Sequence, residues 1–323
     1  MEQPQPSHTL IERVSFVFLN DRGLRAGWRL LIFVALIVLL YSTAALVPGA
    51  SRSGRPSSEL LRRLVQMLVQ IGLFGAVLAA TWLMNRLERR PMGVYGLPLQ
   101  RSAVSRFFRG FVIWGFLPLG LLLLAMRLLG VFYFGSFSPF NLETLSWALL
   151  WGVTFVFVGL FEEYLFRGYA QFTLADGIGF WPAAVILALL FAWGHMNNPG
   201  ETRIGIVGTA AFALFAAATL WRTGNLWLAV GAHAGWDWGQ SFFFGVSDSG
   251  FQAPGHLLNP SSSGPSWLSG GSVGPEGSVL TLVLLPLMTV VFLALNRTTP
   301  APAMVPALAE ETTDADARDL SRP

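Results

Sequence analysis

Apolar runs of about twenty residues alternate with short polar segments along most of the chain. That spacing predicts transmembrane helices, because about twenty residues at 1.5 Å rise cross a hydrocarbon core of about 30 Å. The runs fall near 28–47, 64–84, 107–129, 145–174, 180–195, 204–221, 226–244 and 279–295. The fold expected is all-α, a polytopic transmembrane helix bundle of about eight spans. Asp176-Gly177-Ile178-Gly179 and Arg222-Thr223-Gly224 read as tight turns between runs, and Pro286 as a tolerated kink in the last one. The patch Val14–Leu19 is too short to span and suits the interface. No small-residue cleavage site follows the first long run, so it reads as a span and not as a signal peptide. The organisation expected is a cytoplasmic N-terminal segment (1–26), three helices (27–143), a four-helix catalytic core (144–245), an extracytoplasmic loop rich in Gly, Ser and Pro (246–277), a last helix (278–295) and a disordered acidic tail (296–323).

Composition supports this reading. The chain is 53% hydrophobic and 12% charged with mean hydropathy +0.55, where soluble domains carry about 25% charged residues. Cysteine is absent, which excludes disulfides and thiolate metal sites. All 21 basic residues are arginine, and their placement is informative. With the N-terminus inside, 14 arginines fall on the inner side and 6 on the outer, with Arg167 inside the membrane. The positive-inside rule then predicts both termini in the cytoplasm; the location expected for this multi-pass protein is the inner (plasma) membrane of a bacterium. The cluster Arg86, Arg89, Arg90, Arg101 and Arg106 reads as an inner loop, so no nucleic-acid partner is expected. The partners expected are the lipid bilayer and a membrane-associated peptide or protein.

Against this apolar background, Glu162, Glu163 and Arg167 stand out in the middle of the fourth run. Each ionised group at bilayer depth costs roughly 2.5–3.5 kcal/mol even on the insertion scale, so such groups face a bundle interior or a wet cavity and mark function. On a helix Glu163 and Arg167 are i, i+4 neighbours that can pair, whereas Glu162 points about 100° away and needs partners on other helices. His195, His233 and Asp237 are the candidates, the last two again one turn apart on one face. Counting rise from the turns puts Glu162 and Asp237 about 21 Å from the inner face, His233 about 15 Å and His195 about 28 Å. The predicted fourth, fifth and seventh helices therefore bring one polar cluster together. Each residue alone has a structural alternative: an interfacial cap at His195, an interhelical hydrogen bond for His233 and Asp237, an ion pair for Glu163 and Arg167. Two histidines with one or two carboxylates form the ligand set of a catalytic zinc or other divalent metal, from Glu162, His195, His233 and Asp237. They are equally the set for metal-free attack by a water that Glu activates. His8 and His256 are assigned no role, and Glu143 complements a helix dipole.

Three spacings, Glu162-Glu163-x-x-x-Arg167, Phe191-x-x-x-His195 and His233-x-x-x-Asp237, resemble in order the motifs of the CAAX prenyl protease type II (CPBP, or ABI) family of intramembrane proteases. The likeness covers residues 150–245. Gly23-Leu24-Arg25-Ala26-Gly27-Trp28 and Gly274-Pro275-Glu276-Gly277 are also similar to bacterial members. The resemblance implies an intramembrane endopeptidase in which Glu162 activates water with His195, while His233 and residue 237 bind metal or stabilise the oxyanion. Eukaryotic members carry Asn at the last position. Ionised Asp237 only accepts hydrogen bonds, which favours orienting His233 or ligating metal over donating to an oxyanion. The rival expectation is a non-proteolytic membrane protein, a proton-coupled transporter or an immunity or scaffold protein, using the same polar cluster. No inverted repeat supports a transporter.

The arginine asymmetry generates a first prediction. Reporter fusions at residue 323 and near Ser262 should report opposite sides of the membrane, with residue 323 inside; a tail found outside requires an odd number of spans.

Overall fold

The computed structural model describes residues 17–20, 23–45, 58–90 and 94–297. The expectations placed on residues 1–16 (with His8), on two of the arginines counted on the outer side (Arg52 and Arg55) and on the tail from 298 lie outside the described residues. Helices dominate: α1 (Ala26–Ala45), α2 (Glu59–Glu88), α3 (Ser102–Leu128), α4 (Leu142–Arg167), α5 (Tyr169–Ile178), α6 (Phe180–His195), α7 (Arg203–Thr223), α8 (Trp227–Trp238) and α9 (Thr281–Leu295). α3 passes through a π-helical stretch at Gly110–Phe116, and α8 continues as one over Gly239–Phe244. Among the described residues, α2, α3, the α4–α5 unit and α7 are long and apolar enough to cross a membrane, while α1, α6 and α9 are shorter apolar helices.

The run expected as one helix over 145–174 is broken. α4 ends at Arg167 because Gly168 leaves helical geometry (φ −82°, ψ −126°), placing its backbone so that a Cβ would sit 2.3 Å from the Tyr164 carbonyl oxygen. Asp176 and Gly177, expected in a turn, belong to α5; Gly179 at φ +87° makes the reversal into α6 alone, a conformation that glycine adopts without steric cost. The depth count through 175–179 therefore does not describe a straight helix below Arg167. Asn141, a residue without a role in the sequence reading, caps α4 by accepting from the Thr144 N–H at 2.9 Å.

α8 is the central element, packed between α3 and α4, while α2 packs on α4 and α7 holds α6 and α9. Its contact with α3 is backbone on backbone. A Cβ on Gly231 or Gly235 would lie 2.0 and 2.2 Å from the Phe107 and Phe111 carbonyls; one on Gly110 or Gly115 would meet those of Leu228 and Ala232 at 2.1 and 2.3 Å. Small residues spaced by four let helix axes approach closely where lipid removes the hydrophobic drive for association. His233, two residues from both Gly231 and Gly235, is thereby turned about 200° away from α3, toward α4. Gly159 admits α8 on that side: a Cβ there would be 3.0 Å from the Val230 carbonyl oxygen and 3.5 Å from His233 Cβ.

Two short ribbons accompany the helices. β1 (Leu19–Asn20) pairs with β2 (Gly23–Leu24), and β3 (Phe132–Phe137) pairs antiparallel with β4 (Leu258–Ser262). The aromatic stretch Phe132-Tyr133-Phe134 suits a strand, and it ties the segment read as a plain loop over 246–277 to the end of α3. At the opposite end, Arg29 of α1 bonds Glu88 of α2 and reaches Asp176 of α5 at 3.0 Å, and Arg90 reaches Asp176 at 3.3 Å. The Tyr169 hydroxyl also donates to Glu88.

Gly235→Leu should force α8 off α3 and lower stability by about 1–3 kcal/mol or more, the usual range for overpacking. Gly75→Ala on α2, where a Cβ meets nothing within 4 Å, should be near neutral. Thermal unfolding of the two variants in detergent checks the contrast.

Candidate active site

α4 supplies three polar side chains in its last two turns, with Arg167 in the last turn where a cation complements the dipole. Glu163 is fully buried. An isolated charge there is prohibitively costly unless paired and hydrogen-bonded. Among the described residues it has two ionic partners: Arg167 Nη1 lies 3.6 Å from Glu163 Oε1, and His233 Nδ1 lies 2.9 Å from the same oxygen. A carboxylate accepts, so His233 Nδ1 carries the proton and donates.

On α6, His195 Nδ1 lies 2.8 Å from the Phe191 carbonyl, which again only accepts. With both Nδ1 positions protonated, the Nε2 atoms of the two imidazoles face Glu162. Glu162 Oε2 is 3.7 Å from His233 Nε2 and 4.0 Å from His195 Nε2, and it accepts no hydrogen bond from the described residues. Asp237 Oδ2 approaches the same His233 Nε2 at 3.4 Å. The sequence reading gave Asp237 the task of holding the His233 ring; the orienting hydrogen bond at Nδ1 comes instead from Glu163, and Asp237 shares the Nε2 side with Glu162. That reading could not distinguish them, because Asp237 is a neighbour on the same helix while Glu163 arrives from α4.

Phe191 is more than a spacer before His195. The Arg167 guanidinium sits 4.6 Å over its ring, the His195 ring packs at 4.6 Å and Phe166 meets it edge-on at 5.2 Å. A buried aromatic face therefore stabilises the guanidinium by a cation–π contact beside its partial partner Glu163. Phe212 of α7 covers His233 edge-on at 5.3 Å.

The six residues singled out from the sequence thus meet on α4, α6 and α8, and Glu162, His195, His233 and Asp237 line a cavity of about 430 Å³. That volume falls in the usual range for a binding pocket. The cavity also has a wall that sequence reasoning missed, built by Asp248, Ser249, Phe251 and Glu276 from the segment between α8 and α9. Only the similarity around Glu276 signalled it. Asp248 accepts from Gln240 Nε2 at 3.3 Å and from the Ser241 hydroxyl at 3.2 Å. Burial, together with the charges of Asp237 and Glu276, pushes the Asp248 carboxyl well above the usual carboxylate range.

Two imidazole Nε2 atoms and a carboxylate oxygen are zinc donors in kind. Tetrahedral ligands about 2.0–2.1 Å from zinc stand about 3.4 Å apart, closer than the 3.7 and 4.0 Å found here. As placed, no three His, Asp or Glu side chains among the described residues could hold a metal ion.

Residues 144–239 match the family model "Type II CAAX prenyl endopeptidase Rce1-like". That segment, which carries the three motif spacings, is similar to the type II CAAX prenyl protease (CPBP, ABI) family. All six site residues fall inside the matched segment, and Asp248 and Glu276 fall beyond it. No curated protein and no solved structure matches the chain. The matched model is of a membrane protease family, and together with the long apolar helices it supports a multi-pass membrane protein.

Arg167→Leu leaves the Glu163 carboxylate buried with His233 as its one remaining ionic partner among the described residues. Breaking a buried pair from one side costs about 3–5 kcal/mol, so the variant should unfold at a clearly lower temperature in detergent. Arg167→Lys, which keeps the charge, should lose less. An unchanged unfolding temperature for Arg167→Leu would show that the pair is not structural.

Proposed function

We propose that this protein is an intramembrane endopeptidase that hydrolyses peptide bonds of membrane-associated substrates with a water activated by Glu162. The observation that carries the reading is the convergence of both histidine Nε2 atoms on the unbonded Glu162 Oε2 at the cavity wall. Glu162 takes a proton from the attacking water as its oxygen bonds to the scissile carbonyl carbon. The same carboxyl then returns that proton to the leaving amine as the C–N bond breaks. His195 Nε2 accepts a hydrogen bond from the water and aims it, held by the Phe191 carbonyl. His233, gripped at Nδ1 by Glu163, presents Nε2 to the same space. In its protonated form that N–H donates to the oxyanion, a task Asp237 does not perform as an ionised acceptor. Asp237 then serves as the counter-charge beside His233 Nε2.

A second reading, with zinc held by His195, His233 and Glu162, is favoured by the donor types alone. Such an ion, when bound, lowers the pKa of its water to about 7. Stoichiometric zinc in the purified protein, with activity lost to a chelator and restored by zinc, would select it over the metal-free route.

Glu162→Gln keeps size and hydrogen bonding but not basicity. It should lower cleavage of a membrane-peptide library by roughly 10²–10⁴, the usual worth of a general base, with little change in folding. Full activity in Glu162→Gln, or cleavage absent from the unaltered protein, would favour the non-proteolytic alternative.

A further inference from the structure

Between α8 and α9 the chain makes a tight turn, Asp248–Phe251, closed by Asp248 N–H to Phe251 O at 3.0 Å and Phe251 N–H to Asp248 O at 2.8 Å. Its two central residues both lie in the left-handed region, Gly250 at φ +86° and Ser249 at φ +47°. Glycine occupies that region freely, whereas serine is strained there unless its surroundings hold it. One side chain does the holding. Glu276 Oε2 accepts from the Ser249 backbone N–H at 3.1 Å and from its hydroxyl at 2.9 Å. The other oxygen of the same carboxylate, Oε1, accepts from Trp236 Nε1 at 2.9 Å and from Gln240 Nε2 at 3.0 Å. Those donors lie on α8 and its continuation, on either side of Asp237.

The carboxylate therefore bridges the strained turn to the helix that carries His233 and Asp237. The turn has further supports. Gly250 N–H donates to the Val273 carbonyl at 2.9 Å, and a Cβ on Gly250 would lie 2.0 Å from the Pro199 carbonyl oxygen, in the segment that follows His195. Asp248, Ser249 and Phe251 of this turn face the same cavity as Glu162 and the two histidines, and the Phe251 ring is largely exposed.

We infer that Glu276 is a positioning residue of the protease proposed above: it clamps the Asp248–Phe251 turn onto α8 and so makes that turn a fixed wall of the substrate cleft. The inference rests on the proteolytic reading for the word substrate, while the clamp itself is a matter of structure. Glu276 sits near the end of the Gly/Ser/Pro-rich segment 246–277 and acts on the cavity through Trp236 and Ser249, without touching Glu162. Its loss should free the wall and weaken substrate binding more than the chemical step.

Because the chain has no cysteine, a single reporter is available without background labelling. Phe251→Cys, placed in the otherwise unaltered chain and in Glu276→Ala and Glu276→Gln, is labelled with a hydrophilic maleimide in detergent, and cleavage kinetics are measured on the same substitutions at 276 without the cysteine. The clamp predicts faster labelling in Glu276→Ala. It also predicts a rise in KM of roughly 10-fold or more with a smaller change in kcat, the scale of lost orienting contacts. Ser249→Gly, which removes the strain that Glu276 restrains, should recover part of that KM in the Glu276→Ala background. Should Glu276→Ala fail to fold, Glu276→Gln reads the same quantities: it retains one acceptor oxygen and should release the turn only in part. Unchanged labelling in the folded variants overturns the clamp whether or not the protein is a protease. Faster labelling with unchanged KM overturns the substrate-facing wall, and a fall in kcat at constant KM assigns Glu276 to the chemistry instead. Activity that is absent or indifferent to Glu162→Gln removes the proteolytic reading and with it the wall as a substrate contact, while the labelling result stands separately on the clamp.

Discussion

A carboxylate with no exposure to solvent is the constraint that organises this protein. Glu163 is tolerable in an apolar bundle only with its charge answered, and the two answers come from different places. Arg167 answers from one turn along α4, itself resting on the Phe191 ring. His233 answers from α8 with the 2.9 Å hydrogen bond that defines which imidazole nitrogen faces the cavity. Satisfying Glu163 thus fixes the approach of α4 to α8, the tautomer of His233 and the position of Phe191 and hence of α6. Glu162, one residue earlier, is left pointing at both Nε2 atoms.

That arrangement needs α8 close to two helices at once, and the close approach is made by what the residues lack. Glycines at 231 and 235 seat α8 against the α3 backbone, and Gly159 opens the α4 side. The rigidity is useful chemically. General acid–base work needs its groups held near hydrogen-bond reach of the reacting atoms, and side chains on packed helices are held better than side chains on loops. The opposite wall of the cavity is built on the other principle, with a strained turn fastened by the hydrogen bonds of one carboxylate.

Much of this was legible in the linear pattern. Runs of about twenty apolar residues marked the helices to within a few residues, since a helix in lipid must satisfy its backbone internally and therefore announces itself by length and hydropathy. Glu162, Glu163, Arg167, His195, His233 and Asp237 were conspicuous because charge is expensive in such runs, and i, i+4 spacing showed which of them share a face. The break at Gly168 was hidden: an apolar run reads the same on both sides of a glycine whose ψ has left the helix. The strand pair β3–β4 was hidden as well, because its partners lie more than 120 residues apart and neither is a long alternating segment.

The division follows from the range of the interactions. Helix existence and face are local properties, written in periods of a few residues, so the chain alone specified a bundle with charges inside it. Which carboxylate grips which nitrogen is a distance between helices, set by packing that no periodicity encodes: the fold put Glu163, not Asp237, on His233 Nδ1. For the same reason Asp248 looked like a polar residue of an ordinary loop, and Glu276 stood out only by the similarity around it, until folding laid that loop along the cavity. Only the three-dimensional packing makes them neighbours of the site, since their contacts to α8 depend on where the chain returns and not on the residues beside them.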